Sequence, residues 1–235
     1  MCWIFAYKWK KTDAQKILLH WLQRLEYRGY DSAWLFVWND NWETQLIRSV
    51  WKVSALLEKT NKEIKKSDFN FWIAHTRRAT HGWITENNSH PHHNINKDFY
   101  LVHNGIIENY HKLKQELIVK WYTFYGETDS EVIANLLEDN RTGDFMDTVE
   151  KVLWMIRWAY ALLIVSTYAP DEIIAVKIGS PLLFAYTGNE FFFSSDKQAL
   201  AGYADKLIYL DDGDIVHLKG NDYHIKSNGV PAEKK

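Results

Sequence analysis

Uninterrupted apolar residues over 2–7 (CWIFAY) predict a short buried strand almost at the start of the chain. Ile17, Leu18, Trp21, Leu22 and Leu25 then recur on one helical stripe, with Thr12 or Asp13 available as the cap. Segments 32–38 (SAWLFVW) and 44–50 (TQLIRSV) predict paired strands joined through the turn-forming Asn39-Asp40-Asn41. A helix over 53–65 and a strand over 71–76 (FWIAHT) lead into the polar stretch 77–98, the longest loop in the chain. Loops of that length inside a domain are usually functional or mobile. Strand 99–103 (FYLVH) ends at Asn104-Gly105, and helices are predicted at 108–119, 129–139 and 144–156. The last third is strand-rich: 160–166, 172–177, 181–186, 190–194, and 206–218 broken by Asp211-Asp212-Gly213. Strands, then helices, then strands imply an α+β layered domain rather than alternating βαβ units. The polar 227–235 (SNGVPAEKK) reads as a frayed tail or the start of a linker, leaving 1–226 as the domain.

Composition narrows the classes. The 235 residues allow one large domain or two small ones. Lys+Arg 28 against Asp+Glu 30 gives a net charge of -2, without the basic footprint of a general nucleic-acid binder, so no nucleic-acid partner is expected. A hydrophobic content of 46% excludes disorder as the default. No apolar run approaches the roughly 18–20 residues of a membrane span, and the start lacks a signal peptide's basic and apolar segments. No membrane association is expected, and the cytoplasm is the expected compartment. The single cysteine, Cys2, rules out an internal disulfide and a multi-cysteine zinc site. Tryptophan is the anomaly: 12 Trp against 11 Gly, where glycine ordinarily makes up about 7% of a chain.

Cys2 carries the most chemical information. Met1 is readily removed before a small residue, which would leave a cysteine whose own α-amine, with a reference pKa of about 7.7–8.0, can serve as base for its thiol. The competing reading is a buried small hydrophobe. His75-Thr76-Arg77 closes a strand and opens the long loop, which continues with Ala79-Thr80-His81-Gly82 and Asn88-Ser89-His90-Pro91-His92. A strand-end arginine followed by Thr and His donors suits a small zwitterionic substrate, because guanidinium holds a carboxylate bidentately. A solvated surface loop is the alternative. The histidines at 90, 92 and 93 lack the companion ligands of a closed metal site, so no metal is expected. Asn104-Gly105 offers an amide side chain and an unobstructed backbone N–H, the composition of an oxyanion hole, but also of an ordinary turn. Asp129 could cap a helix or bind a substrate ammonium, and local sequence favours the cap.

Taken together, these motifs resemble the class II glutamine amidotransferases of the N-terminal-nucleophile family, and within them the glutaminase domains of glucosamine-6-phosphate synthases. Besides those already quoted, the resemblance rests on Leu25-Glu26-Tyr27-Arg28-Gly29-Tyr30-Asp31-Ser32-Ala33, His103-Asn104-Gly105-Ile106-Ile107-Glu108-Asn109 and Glu127-Thr128-Asp129-Ser130-Glu131-Val132-Ile133-Ala134. It implies a four-layer α/β/β/α sandwich and no cofactor. It implies that Cys2 attacks the glutamine side-chain amide, that its amine shuttles the proton, and that Asn104 with the Gly105 N–H stabilises the oxyanion. Arg77 would hold the substrate carboxylate, Thr80 and His81 would line the pocket, Asp129 would take the ammonium, and Arg28 would orient the nucleophile region. C-terminal sugar-isomerase domains, absent from this chain, would bind fructose 6-phosphate and receive the ammonia, and a homodimer would form through them. The alternatives are the glutaminase half of another class II enzyme, such as amidophosphoribosyltransferase, and a catalytically dead binding module should Trp3 block the nucleophile.

Seven tryptophans, at 3, 21, 34, 51, 72, 121 and 158, fall where the family pattern has glycine, and Arg78 stands where it has tryptophan. Overpacking at about 1–3 kcal/mol per site would consume the whole stability of a domain, about 5–15 kcal/mol. The reading that follows is that UGA codons, glycine in the source, have been rendered as tryptophan. Arg78 is not explained by it.

Overall fold

The computed structural model describes residues 2–8, 17, 20–21, 32–39, 41–50, 53–64, 69–77 and 87–234. The chain divides into two compact units, Met1–His90 with Leu182–Leu210, and Pro91–Pro181 with Asp211–Lys235. Each is built on one seven-stranded antiparallel sheet.

Unit 1 contains β1 (Trp3–Lys8), β2 (Ser32–Trp38), β3 (Thr44–Val50), β4 (Phe71–Arg77), β9 (Leu183–Thr187), β10 (Glu190–Ser194) and β11 (Lys206–Tyr209), in the order β11-β9-β10-β1-β4-β2-β3. Both faces of its central strands are buried, which is why they read as continuous apolar runs. Phe5, Tyr7, Leu35, Val37, Trp72, Ala74 and Phe192 form one core face, onto which Leu56 of α1 (Val53–Glu63) packs. Of the first predicted helix, Ile17, His20 and Trp21 are described and helical. Unit 1 also holds a one-turn helix, α5 (Lys197–Leu200), that no sequence pattern announced.

Unit 2 contains β5 (His92–His93), β6 (Phe99–Gly105), β7 (Tyr160–Ser166), β8 (Ala169–Ile178), β12 (Asp214–Lys219), β13 (Asp222–Ser227) and β14 (Val230–Pro231), in the order β14-β13-β12-β8-β7-β6-β5. Three helices share an apolar cluster with one face of this sheet: α2 (Tyr110–Val119), α3 (Asp129–Asp139) and α4 (Phe145–Leu153). Leu113, Ile133, Leu137 and Val149 meet Leu101, Leu162 and Val176 there. The α+β class is therefore as the element order implied.

Two boundaries differ from the sequence reading. The segment 206–218 is two strands in different sheets, β11 and β12, divided at Asp211-Asp212-Gly213. Within the stretch 227–235, the described residues 227–234 are fastened rather than frayed. Ser227 and Lys226 pair with β14, the Ala232 N–H donates to Ile225 O at 2.8 Å, and the Lys234 ammonium bridges Asp211 and the fully buried Asp214. A buried carboxylate needs such a partner, and the nearby lysine supplies it.

The tryptophans strain the structure in two ways. Trp21 and Trp34 are wholly buried, and their indole N–H groups have no hydrogen-bond partner among the described residues. The Trp21 and Phe5 ring centroids lie only 3.6 Å apart. Trp121 and Trp158 have φ of 69° and 104°, and so does a tryptophan outside the anticipated set, Trp42, at 56°. This is the left-handed region that favours glycine. Trp121 occupies the residue after the α2 cap in a complete Schellman motif: its N–H donates to Ile118 O at 2.9 Å, and the Tyr122 N–H donates to Leu117 O at 3.0 Å. Trp51 lies outside the described residues.

Candidate active site

In unit 1, the nucleophile candidate is set by the middle of the sheet. β1 runs between β10 and β4, and Trp3 pairs with Thr76. The Ile4 N–H donates to Ser195 Oγ at 3.0 Å, and the Ser195 N–H donates back to Ile4 O at 3.1 Å. The strand is held from the residue after Cys2 onward. Cys2 itself is half-buried. β4 ends at Arg77, one residue beyond Thr76, so the antiparallel register brings Cys2 and Arg77 to the same end of neighbouring strands. Ser195 is a residue the sequence reading missed, since a serine after a strand carries no signal of a partner 191 residues away. Arg28, Arg78, Thr80 and His81 lie outside the described residues.

In unit 2, Asn104 and Gly105 are the last residues of β6, paired with Ala161 and Tyr160, so the dipeptide is not an ordinary turn. Gly105 has φ 138°, and a Cβ there would stand 2.1 Å from the Ala159 carbonyl oxygen. Only glycine fits, and the strand end can bend without a side chain covering its N–H. The following residues are pinned one by one. The Ile106 N–H donates to Ala159 O at 3.2 Å, and the Glu108 N–H donates to Arg157 O at 3.3 Å. Asn109 donates through Nδ2 to Met155 O at 2.8 Å and accepts the Arg157 N–H at 3.0 Å.

Asp129 joins this loop from α3. Its Oδ2 accepts the Ile107 N–H at 2.8 Å, so the structure brings Asp129 to the segment that follows Asn104-Gly105. The expectation that Asp129 caps its own helix is corrected: Thr128 is the N-cap residue and Asp129 the first helical residue. Placed there, its charge still complements the helix dipole.

Further anchors surround the α3 start. Glu131 is buried, and its carboxylate accepts the N–H groups of Tyr125 and Gly126 at 2.7 and 2.8 Å. Burial raises its pKa, against the lowering effect of those two hydrogen bonds and of Lys114. Thr128 makes no cap bond; its hydroxyl lies 3.1 Å from His92 Nε2. The Tyr125 hydroxyl accepts the His93 N–H at 2.9 Å. His92 and His93 thus hold the loop before α3. Tyr160, opposite Gly105, has its phenol pushed up to about 12 by burial. None of these supporting roles is legible in sequence, because each depends on which loop folds back onto which strand. Among the described residues no group of three metal-ligating side chains is present, and no helix is long and apolar enough to cross a membrane.

Known proteins of similar sequence and fold can be set beside this geometry. The chain is 41% identical over 228 residues to a glutamine--fructose-6-phosphate aminotransferase [isomerizing] of Acinetobacter baylyi, covering 95% of this chain and 36% of that protein. It is 40% identical over 245 residues to the protein of that name in Aquifex aeolicus, covering 100% of this chain and 39% of the other. The chain thus spans little more than a third of the length of these curated relatives. Among solved structures, the glutamine phosphoribosylpyrophosphate amidotransferase from B. subtilis superposes with a TM-score of 0.82 at 24% identity, over 96% of this chain and 49% of that one. A structure described as the allosteric regulatory enzyme of purine biosynthesis gives 0.83 at 24% identity, with the same coverage. These likenesses show the fold expected from the resemblance. Residues 75–202, more than half of the chain, match the family described as "Glutamine amidotransferase domain", and the chain belongs to that family.

Proposed function

We propose that this chain is the glutamine-hydrolysing, ammonia-supplying part of a glucosamine-6-phosphate synthase. The observation that carries this reading is the 41% identity extending over 95% of the chain to a relative named for transfer from glutamine to fructose 6-phosphate. The amidophosphoribosyltransferase alternative has only likenesses at 24% identity behind it. Glutamine is the substrate. Sugar-isomerase domains that bind fructose 6-phosphate are the partner region, with a homodimer formed through them, in the cytoplasm.

In this reading the amine of a mature Cys2 takes the thiol proton as sulfur attacks the glutamine side-chain carbonyl. Asn104 Nδ2 and the Gly105 N–H receive the developing oxyanion, donors whose benefit comes from being fixed before charge appears. The proton returns to the leaving ammonia, and water then releases glutamate from the thioester. Arg77 clamps the substrate carboxylate, Asp129 its ammonium; Thr80 and His81 line the pocket and Arg28 orients the nucleophile. The pairing of β1 between two neighbours and the pinning of residues 106–109 support this assignment, because both reacting ends need fixed backbone.

The test is glutamine hydrolysis by the mature chain, by Cys2→Ala, and by protein in which Met1 removal is blocked. Loss in both altered forms, with the fold retained, is expected. Normal turnover in the Met1-retaining protein would overturn the α-amine mechanism. An inert mature chain that still binds glutamine would instead mark a binding module.

A further inference from the structure

His103 lies in β6 beside Asn104, and its ring is almost entirely buried. Its Nδ1 is 2.9 Å from Ser130 Oγ and 3.9 Å from Asp129 Oδ1. Ser130 Oγ in turn donates to Asp129 Oδ1 at 3.4 Å. The Ser130 hydroxyl thus stands between the imidazole and the carboxylate, with its shorter contact to the ring. The buried Nε2 has no hydrogen-bond partner among the described residues, and of the two neutral tautomers the Nδ1–H form is favoured because it leaves no unpaired donor there and gives the proton to the Ser130 contact. Burial keeps the imidazole below its ordinary pKa and outweighs the opposing pull of Asp129. A neutral donor is thus directed, through one hydroxyl, at one oxygen of a carboxylate whose other oxygen holds the Ile107 N–H.

We infer that His103, acting through Ser130, is a positioning residue for Asp129: it fixes the carboxylate in the orientation that both grips the loop after Asn104-Gly105 and presents a lone pair to the ammonium of an amino-acid substrate. The Asp129 side chain keeps 19% of its surface open, enough for such a contact. An aliphatic residue would fill the same place in β6 but would leave the carboxylate free to rotate off the Ile107 amide. The inference rests on the proposed role of Asp129 toward glutamine.

Four variants of the full chain test it: His103→Phe, which keeps a ring and removes the donor; His103→Asn, whose amide nitrogen falls near the Nδ1 position; Ser130→Ala; and Asp129→Asn. His103→Phe and Ser130→Ala are each expected to raise the KM for glutamine about tenfold, the scale of one hydrogen bond to a charged group, with kcat within about twofold. His103→Asn should restore most of the loss. The double variant should be little worse than either single one, since both break the same chain. Amide hydrogen exchange at Ile107 should quicken in the same two variants, a readout that needs no turnover. If Asp129→Asn raises KM while His103→Phe and Ser130→Ala only lower the melting temperature, leaving KM and Ile107 exchange unchanged, His103 is a packing residue and the inference falls while the proposed function stands. If the unaltered chain does not hydrolyse glutamine, the proposed function fails, and unchanged Ile107 exchange would still overturn the positioning role on its own.

Discussion

The two sheets place the same residue type in opposite surroundings. In unit 1, tryptophans 3, 21, 34, 38 and 72 are all buried. In unit 2, Trp121, Trp154 and Trp158 are exposed, and the apolar cluster beneath its helices contains no tryptophan among the described residues. The cost therefore arises by different routes. In unit 1 the buried Trp21 crowds Phe5, and the Trp21 and Trp34 indoles have no partner for their donors among the described residues, at about 1–3 kcal/mol for each such donor. Trp121 and Trp158 touch little, and their cost is backbone strain of roughly 1–2 kcal/mol each. A glycine would remove the cost at all four positions, 21, 34, 121 and 158. That convergence from packing in one unit and dihedral angles in the other strengthens the reading of these codons as UGA. The residues of the proposed site divide along the same line, with Cys2 and Arg77 in unit 1 and Asn104, Gly105 and Asp129 in unit 2.

The largest expected effect separates the two sides chemically. Asn104→Ala should lower kcat by about 10²–10³, roughly 2.7–4 kcal/mol, with little change in ground-state affinity, because its donor meets charge only in the transition state. Arg77→Ala should instead raise KM first, since a carboxylate clamp acts on ground and transition states alike. Glutaminase kinetics on both variants decide this; a slowed Arg77→Ala and a weakly binding Asn104→Ala would reverse the assignment. Next in size, Trp121→Gly and Trp158→Gly should each stabilise the fold by about 1–2 kcal/mol, or about 2–4 °C in Tm per kcal/mol. Trp154 supplies the control: it is equally exposed at 90% but right-handed at φ −68°, so Trp154→Gly should lose about 0.5–1 kcal/mol. Equal responses at 121 and 154 in thermal melts would remove backbone strain as the cause, and UGG codons at 42, 121 and 158 would end the decoding account.

The smallest effect is a pH dependence. His103 has a lowered folded-state pKa, so as pH falls below about 6.5 the unfolded chain takes up a proton that the folded chain refuses. Stability should fall on acidification through that window, by at most about 1.4 kcal/mol per pH unit from this residue. His103→Asn should flatten the dependence; melts between pH 5 and 7.5 that coincide in shape would show that His103 does not contribute.

Much of the fold was legible: the largely buried β2, β7 and β10 write themselves as apolar runs, while the partly exposed edge strand β3, TQLIRSV, showed through the turn-forming residues that precede it. Segments 32–38, 44–50, 160–166 and 190–194 became β2, β3, β7 and β10 with those bounds. The hairpins β12–β13 and β13–β14 were missed although each turns on two residues, Gly220-Asn221 and Asn228-Gly229, because DYHIKS is mostly polar and partly exposed and shows no apolar run beside the turns. At the site, Asn104 and Gly105 stood out by composition, and the structure adds why Gly105 admits no side chain. His103 was visible only as a neighbour of Asn104, because nothing in sequence says that Ser130 and Asp129 will lie beside it. The capping preference for Asp129 failed for the same reason, a backbone amide from another loop having claimed the carboxylate.

The central place of β1 also has a meaning in time. Its partners are β4 and β10, and the bonds that lock Ile4 reach Ser195, 191 residues later in the chain. At synthesis rates of about 5–20 residues per second, roughly 10–40 s pass before that partner exists. Through that interval the first strand lacks one of its two neighbours, and the bond between Met1 and Cys2 remains open to an aminopeptidase. Under the proposed function, the Cys2 amine is thus unmasked during translation, before the strand that holds it has been closed on both sides.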